Sequence, residues 1–440
     1  MKQIIQGNMH RIEYIFIYFI LLQPILDVFA YMELPIPEVI RVMAIGLGFL
    51  YLTFFPNQKI QKYTRFYHVL AFVYFLAHFI TNWFIKDPFS LTLELTHMIK
   101  TFFFIELLLV YVCLLYSFSK RVDWQKIILR NVIISMAIIS VIMLLASFTD
   151  TGKRTYDMLA KAGHTGWFFS GNELSAILVF GFGMTLLLML KNKNRQHKLF
   201  IFSLLLVLIW SMMTVGTKVS YGGLLLLLST AILIAIVNHL RTKSFPINVI
   251  ILLPLLIGTI LWTPYSAIGQ NLNLTLTNQQ KSEQDLADNV LIEEEGVGVG
   301  IVLSGRNEFM QETISQYKDA AIPQQLFGMG YGGNYQRDPK LIEMDFFDWF
   351  FGFGIIGIII LLIPVVSIGF YILRNLLQGR FQKIDMSMIM IGLSVCLGFG
   401  IAFVAGHVLS SPAASIYLAL MIAYLYVLSN RLKQPNEGLD

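Results

Sequence analysis

The sequence predicts an all-α, polytopic membrane protein: a bundle of about twelve transmembrane helices with one large extracytoplasmic loop between helices 9 and 10. Three observations lead to this prediction. Hydrophobic residues make up 56% of the chain, charged residues 13%, and the mean hydropathy is +0.67, which is typical of a chain dissolved in a bilayer. Apolar stretches of membrane-spanning length recur throughout. One connection between them is long, running 82 residues from Thr263 to Met344.

Each apolar stretch is about 20 residues long, which is the length a helix needs to cross a hydrocarbon core. The first contains Gln23, Pro24 and Asp27 and no small-residue cleavage site follows it, so we expect a retained helix and not a cleaved signal peptide. Cys113 and Cys396 both fall inside apolar stretches and are predicted to be packing residues. The stretches begin near Tyr14, Val39, Phe66, His97, Ile127, Glu173, Leu199, Ser220, Ile247, Phe346, Asp385 and Pro412.

Basic residues fall in alternate loops, which are cytoplasmic by the positive-inside rule. This places both termini in the cytoplasm and the 82-residue loop outside. The basic loops also explain the net charge of +5, so this charge does not indicate a nucleic-acid partner. The predicted division is helices 1–9 in residues 1–262, the loop in 263–344, and helices 10–12 with a cytoplasmic tail in 345–440. The basic residues are Lys59, Lys62, Arg65, Lys120, Arg121, Lys126, Arg130, Lys191, Lys193, Arg195, Lys198, Arg241, Lys243, Arg374, Arg380 and Lys383.

The long loop is where function is expected, because a compact bundle does not need so long a connection. Its first part, Gln270 to Gly300, is polar and acidic and reads as a flexible lid or a solvated linker. Gly305 to Lys318 predicts a helix capped near Ser304 and ended by Pro323.

A glycine-rich turn follows, FGMGYGGNY from Phe327 to Tyr335. Glycines let backbone amides approach a ligand closely, so Tyr331 and Asn334 are candidate substrate-binding residues. Glu343, Asp345 and Asp348 then precede the tenth helix, where Trp349 and several phenylalanines predict an interfacial aromatic belt.

Ionisable residues inside the apolar stretches are costly and should have partners. Asp27 and Arg41 lie near the same ends of consecutive antiparallel helices and are predicted to pair, although Arg41 is also a candidate for binding a lipid diphosphate. Glu106 is expected to line a polar cavity or to pair with Lys100 or Arg41.

The order of several patches resembles the O-antigen ligase and Wzy polymerase superfamily. These patches are GTKVSYGG at the start of the eighth helix, SGR opening a loop helix, a GxGxGN-like turn, and a helix running into FGFGIIG. QPILDVF in the first helix and GWFFSGNELSA, Gly166 to Ala176, are similar to Gram-positive members of that group.

The resemblance implies a metal-independent glycosyltransferase of the bacterial cytoplasmic membrane that uses an undecaprenyl-diphosphate-linked oligosaccharide. Breaking the anomeric C–O bond leaves negative charge on the diphosphate, which fixed cations must neutralise. Arg306 in SGR matches the loop arginine that similar proteins use for this purpose. Lys218 stands where many relatives carry arginine, and it offers a point charge in place of a bidentate fork.

Ligase-type members carry a His-Asn pair near the tenth helix that is thought to activate the acceptor hydroxyl. This chain has Glu343 and Asp345 there, and either carboxylate is a candidate general base. His164 and Trp167 are candidates for contacting the acceptor sugar, although a structural loop role fits both. The other candidates have structural alternatives too. Arg306 is then an ordinary surface arginine, Lys218 a lysine that snorkels to the headgroups, and the acidic residues Glu343, Asp345 and Asp348 a flank of the tenth helix.

No metal or other cofactor is predicted, because DxD, HExxH, GxSxG and P-loop motifs are missing from the loops. The partners implied are the lipid-linked donor, a glycan acceptor, membrane lipids and other polysaccharide-assembly proteins. Carboxylates in place of the His-Asn pair favour a polymerase of exopolysaccharide, capsule or teichuronic acid over a ligase, by inverting or retaining transfer. The alternatives are a polysaccharide flippase, with cations lining a central cavity, and a non-catalytic partner, in which Arg306, Lys218, Glu343 and Asp345 would not converge.

Overall fold

The structure is a computed structural model of the 440-residue chain, and it describes residues 2–243, 245–288, 306–335, 339–379 and 384–433, with the side chains of 2–8, 278–288, 307, 308 and 433 left out. Regular structure in these ranges is helical, apart from one isolated bridge between Arg154 and His164. The helices are α1 (Lys2–Tyr31), α2 (Ile36–Thr53), α3 (Gln58–Ile85), α4 (Leu91–Phe118), α5 (Trp124–Phe148), α6 (Gly171–Lys191), α7 (Arg195–Val215), α8 (Lys218–Thr242), α9 (Ile247–Trp262), α10 (Ala267–Asp288), α11 (Arg306–Asp319), α12 (Ile322–Phe327), α13 (Asp345–Gln378), α14 (Met386–Val404) and α15 (Pro412–Asn430).

Twelve helices in the described ranges are long and apolar enough to cross a membrane, which confirms the predicted helical membrane bundle. They are α1 to α9 and α13 to α15. The central helices α4, α6 and α15 are buried along most of their length, whereas α9 is largely exposed. We call the end of the bundle that carries α10 to α12 the loop side and the opposite end the basic side.

Two ionisable residues inside the spanning helices, Asp27 and Glu106, have charged or ionisable partners. The predicted contact between Asp27 and Arg41 is present, with the carboxylate and guanidinium 2.5 Å apart. Glu106 pairs with His68 at 2.7 Å, so the expectation of Lys100 or Arg41 as its partner was wrong. The helix rotation that selects a partner on α3 is set by packing that the sequence does not display.

The connection from α9 to α13 is largely helical where it is described. The helix predicted from Gly305 to Lys318 is α11, although its predicted cap at Ser304 lies outside the described residues. Pro323 does not end that helix; it occupies the first turn of α12, a position that proline favours. The first part of the acidic stretch, predicted to be irregular, forms α10, and residues 289–305 lie outside the description.

Trp349 does not belong to an interfacial belt as predicted. Its side chain is fully buried in the first turns of α13, where it packs against Phe104 of α4 with ring centroids 6.3 Å apart. The aromatic run at this helix start contributes to the core of the bundle.

Helix α13 breaks at Gly354, whose backbone adopts φ 68° and ψ −176°. A break leaves the preceding carbonyls without helical donors, and such groups are costly at membrane depth. The glycine-rich turn supplies the donors: Met329 N–H donates to Phe351 O at 3.0 Å and Gly330 N–H to Gly352 O at 2.9 Å. We call residues 327–335 and 351–354 together the glycine clamp.

The glycine clamp is fixed from α3 and α4 as well. Glu94 accepts the backbone N–H of Tyr331 at 3.0 Å, and Lys86 donates to the carbonyl of Tyr331 at 2.7 Å and to Glu94 at 2.5 Å. Burial lowers the pKa of the Lys86 ammonium, and the neighbouring carboxylate of Glu94 opposes that shift. The expectation that the amides of this turn face a ligand was wrong for residues 329–331, because each of these amides already has a protein acceptor.

Candidate active site

Arg306 is the first residue of α11, and its side chain crosses to the segment that joins α14 to α15. The guanidinium lies 3.4 Å from Val404 O, 3.5 Å from Ala405 O and 3.3 Å from a carboxylate oxygen of Glu343. The Arg306 side chain is 15% exposed and that of Glu343 is 41% exposed. The structure thus joins two of the predicted catalytic residues in one partly exposed ion pair.

The backbone around this pair occupies strained regions. Glu343 has φ 65°, Gly406 has φ 63° and His407 has φ 58°, and left-handed conformations are costly for residues other than glycine. A side chain at Gly406 is excluded, because its Cβ would lie 2.4 Å from the Glu343 carbonyl oxygen. Strain concentrated in two facing segments is typical of functional sites.

Asp345 is fully buried and its two oxygens receive four donors. These are the backbone amides of His407, Val408 and Leu409 at 2.8–3.1 Å and the Ser410 hydroxyl at 2.5 Å. This carboxylate holds the segment between α14 and α15 in place. It has no exposed oxygen to offer an acceptor.

Asp348 is likewise committed to the backbone. It accepts the amides of Ile342 at 2.8 Å and Met344 at 3.1 Å, and so it fixes the turn that presents Glu343. Of the three acidic residues at this helix start, Glu343 is the one with an exposed carboxylate.

The N-terminus of α6 completes one wall of the site. Asn172 donates to Ala405 O at 3.2 Å, so this carbonyl is shared with Arg306, and the Ser411 hydroxyl donates to Glu173. Glu173 also acts electrostatically on Asp27. The ion pair of Asp27 and Arg41 therefore borders the site, with Arg41 engaged by the carboxylate.

Lys218 begins α8 on the same side, and the loop after α5 connects it to Arg306. The Lys161 ammonium lies 4.7 Å from the Tyr156 ring centre and also acts electrostatically on Lys218. Burial raises the pKa of Tyr156, while the charge of Arg306 lowers it. Tyr156 thus interacts electrostatically with Arg306, and its hydroxyl donates to Gly216 O at 3.4 Å, two residues before Lys218.

A cavity of about 370 Å³ opens beside Lys161. It is lined by Arg154, Gln270 and residues 159–163, which include Lys161. Arg154 is exposed and donates to the carbonyls of Met158, Leu159 and Lys161 at 3.0–3.3 Å. The loop after α5 therefore adds cationic groups to the loop side near Lys218.

The remaining candidates make structural contacts. His164 donates its backbone N–H to Thr214 O at 3.2 Å, and its Nδ1 accepts from the Gly166 amide at 3.1 Å. Trp167 donates to the Thr151 hydroxyl at 2.8 Å. Neither side chain is close to Arg306 through a described contact.

In the glycine clamp, Asn334 exchanges two hydrogen bonds of 2.9 Å with Gln324, and the Tyr331 ring packs against His97 with centroids 5.6 Å apart. Both side chains therefore contact the turn or its neighbours in the structure, and their binding of substrate stays a prediction. The glycine clamp adjoins α3 and α4, whereas the site around Arg306 adjoins α6, α14 and α15.

The sequence analysis missed His407. It is half-buried and strained, and its amide is held by Asp345 directly beside Gly406 and Glu343. A histidine in a polar segment, AGHVLSS, between two spanning helices on the same side as the long loop was the available signal. Within the described ranges, no three His, Cys, Asp or Glu side chains are grouped to hold a metal ion.

The fold and the site define a multi-pass membrane protein with a partly exposed arginine-carboxylate pair and further cations at one end of its helical bundle. The chain belongs to the family described as O-antigen ligase like membrane protein, which matches residues 10–431. This confirms the resemblance that the sequence patches predicted and supports a role in glycan ligation or polymerisation, with a lipid-linked glycan and an acceptor as substrates. A comparison with curated protein sequences finds no match.

Proposed function

We propose that the protein polymerises undecaprenyl-diphosphate-linked oligosaccharide repeat units at the outer face of the bacterial cytoplasmic membrane, without a metal ion. The observation that carries this proposal is the pair of Arg306 and Glu343, a cation and an exposed carboxylate 3.3 Å apart in a strained site of a glycan ligase-like membrane protein. The loop side faces outward in this proposal, because the basic loops lie at the opposite end.

The oxygen of the acceptor hydroxyl attacks the anomeric carbon of the donor, and the Glu343 carboxylate accepts the proton of that hydroxyl. The C–O bond to the diphosphate breaks, and its electron pair leaves with the diphosphate. Arg306 binds the developing charge with its planar fork of donors. Lys218 supplies a second positive charge, and Lys161 adds to the local field.

Arg306 and Glu343 contact each other in the structure, so binding of the diphosphate would exchange one anionic partner of Arg306 for another. That exchange releases the Glu343 carboxylate to face the acceptor. Of the carboxylates described in this site, Asp345, Asp348 and Glu173 are engaged by protein donors. A single base without a second carboxylate as nucleophile favours a single displacement, which inverts the anomeric configuration.

The alternative function, a polysaccharide flippase, has less support. Its cations would line a central cavity, whereas Arg41 is paired with Asp27 and Arg121 with Glu13. Arg306, with its partly exposed partner Glu343, and the cavity residues Arg154 and Lys161 lie at the loop side. The ion pair of Arg306 and Glu343 weighs against a non-catalytic partner, whereas the convergence of Lys218 with this pair stays a prediction.

The test is chain extension in vitro with purified protein, the lipid-diphosphate-linked repeat unit and EDTA, followed by gel electrophoresis. Wild type and Lys318→Ala, an exposed change in the same helix α11, should give a ladder, and Arg306→Ala should reduce it by about 10²- to 10³-fold. A single transferred unit would indicate a ligase. A ladder abolished by EDTA would contradict metal independence, and an undiminished ladder from Arg306→Ala would exclude this arginine from the site.

A further inference from the structure

A second cavity, of about 450 Å³, lies at the basic side between α7 and α9. It is a groove with two chemically different parts. Arg195 and Lys198 lie at one end, and the walls are apolar, including Leu199 and Phe202 of α7 and Leu255 of α9. The groove is separate from the site around Arg306.

The cationic end is a built structure. Lys198 is buried and donates to the side-chain oxygen of Asn248, which ties the first turn of α7 to the first turn of α9. Asn248 in turn donates to Leu190 O at 3.4 Å. Arg195 is exposed and three residues earlier on α7, on the same helix face as Lys198. Two positive charges are therefore held at the mouth of the groove.

The apolar walls come from one face of each helix. On α9 the lining residues recur at helical spacing, from Ile247 through Ile251 to Leu255. The eight steps of the helix from Ile247 to Leu255 rise about 12 Å, and one leaflet of the hydrocarbon core is about 15 Å thick. The length of the groove therefore matches the part of one acyl chain that is nearest its headgroup, with the headgroup at the basic end.

The lipid-linked donor of the proposed reaction does not fit this groove. Helix α7 has 21 residues, from Arg195 to Val215, and rises about 30 Å, and it ends beside Gly216 and Lys218. A diphosphate held at Arg306 and Lys218 is therefore a membrane thickness away from Lys198. The groove needs a different anionic amphiphile.

We propose that this groove binds an anionic glycerophospholipid of the basic-side leaflet, with its phosphate on Arg195 and Lys198 and one acyl chain along α7 and α9. Charge complementarity selects an anionic headgroup, since basic residues near a membrane surface attract anionic lipid. The bound lipid fills the gap beside α9, which is the least buried of the spanning helices.

The experiment is native mass spectrometry of the full chain in detergent, titrated with phosphatidylglycerol and with phosphatidylcholine of the same acyl chains. Wild type should retain one phosphatidylglycerol in preference to phosphatidylcholine. The double variant Arg195→Gln/Lys198→Gln should lose that preference by about tenfold or more. Arg241→Gln/Lys243→Gln, exposed on the same side but outside the groove, is the matched control and should bind as wild type.

Ile251→Trp blocks the apolar wall and leaves both cations in place, so it tests the groove even if the double variant does not fold. It should also lose the bound phosphatidylglycerol. The proposal is overturned if wild type shows no preference, if the control loses binding equally, or if Ile251→Trp binds normally. Displacement of phosphatidylglycerol by equimolar undecaprenyl phosphate would overturn the choice of a glycerophospholipid.

Discussion

The glycine clamp and the site around Arg306 both belong to the loop side, and both were predicted to bind substrate. In the clamp, the amides of residues 329–331 and the ion pair of Lys86 and Glu94 satisfy one another. Around Arg306, by contrast, a cation and the Glu343 carboxylate remain partly exposed. The two regions therefore differ in whether their polar groups are already hydrogen-bonded within the protein or are exposed to a ligand.

This contrast shows how glycine motifs mislead. A glycine-rich turn presents amides to a phosphate in some proteins, and here it presents them to the carbonyls freed by the break of α13 at Gly354. The two uses require the same residues, because both need positive φ and close backbone approach. Only the position of the acceptor separates them.

The largest expected effect concerns the clamp. Gly328→Ala places a Cβ 2.1 Å from Gly352 O at a φ of 98°, and Gly354→Ala places one 2.5 Å from Gly328 N, so each should destabilise the protein by about 3 kcal/mol or more. Thermal unfolding in detergent measures the loss. Gly392→Ala in α14, with no atom near its added Cβ, is the control and should be as stable as wild type. Equal stability of all three variants would mean that the clamp does not hold α13.

Variants of the two neighbouring carboxylates, Asp345 and Glu343, should have the next largest effects, the first on stability and the second on activity. Asp345→Asn leaves at least one of four donors without an acceptor and should cost about 2–3 kcal/mol of stability. Glu343→Gln should leave the unfolding temperature unchanged and reduce chain extension by about 10²-fold or more. If Glu343→Gln retains full activity, the base lies elsewhere, and His407→Gln becomes the variant to measure.

Lys218 should have a smaller effect than Arg306. Lys218→Ala should lower chain extension by about tenfold, and Lys218→Arg should retain or exceed wild-type activity, because a guanidinium supplies a bidentate fork for the diphosphate. Lys243→Ala on the basic side serves as the control for loss of charge. Activity equal to wild type in Lys218→Ala would make this residue an ordinary interfacial lysine.

The smallest effect is a pH dependence at His164. Burial lowers the pKa of its imidazole, so between that value and the unfolded value near 6.5 the unfolded state binds more protons and stability falls as the pH falls. Protonation also removes Nδ1 as acceptor for Gly166. His164→Gln should therefore lose less stability than wild type between pH 7 and pH 5, with chain extension at pH 7 retained. A loss of activity with no change in this pH dependence would favour contact with the acceptor.

Hydrophobic length was sufficient to predict the twelve spanning helices, since the bilayer imposes it on every span. The pairing of Asp27 with Arg41 was predictable because both lie at matching ends of antiparallel helices. The partner of Glu106 was not, because it depends on how α3 is rotated. The roles of Glu343 and Asp345 also could not be separated, since their difference arises from the distant segment of residues 405–411 folding back onto one of them.

The most direct measurement compares chain extension per folded molecule in Arg306→Ala and Gly330→Ala. An added Cβ at Gly330 would lie 2.5 Å from the Glu94 oxygens, so this variant should unfold at a lower temperature while its folded fraction keeps near wild-type specific activity. Arg306→Ala should unfold as wild type and be nearly inactive. A folded, inactive Gly330→Ala together with an active Arg306→Ala would place the active site in the glycine clamp and contradict the account.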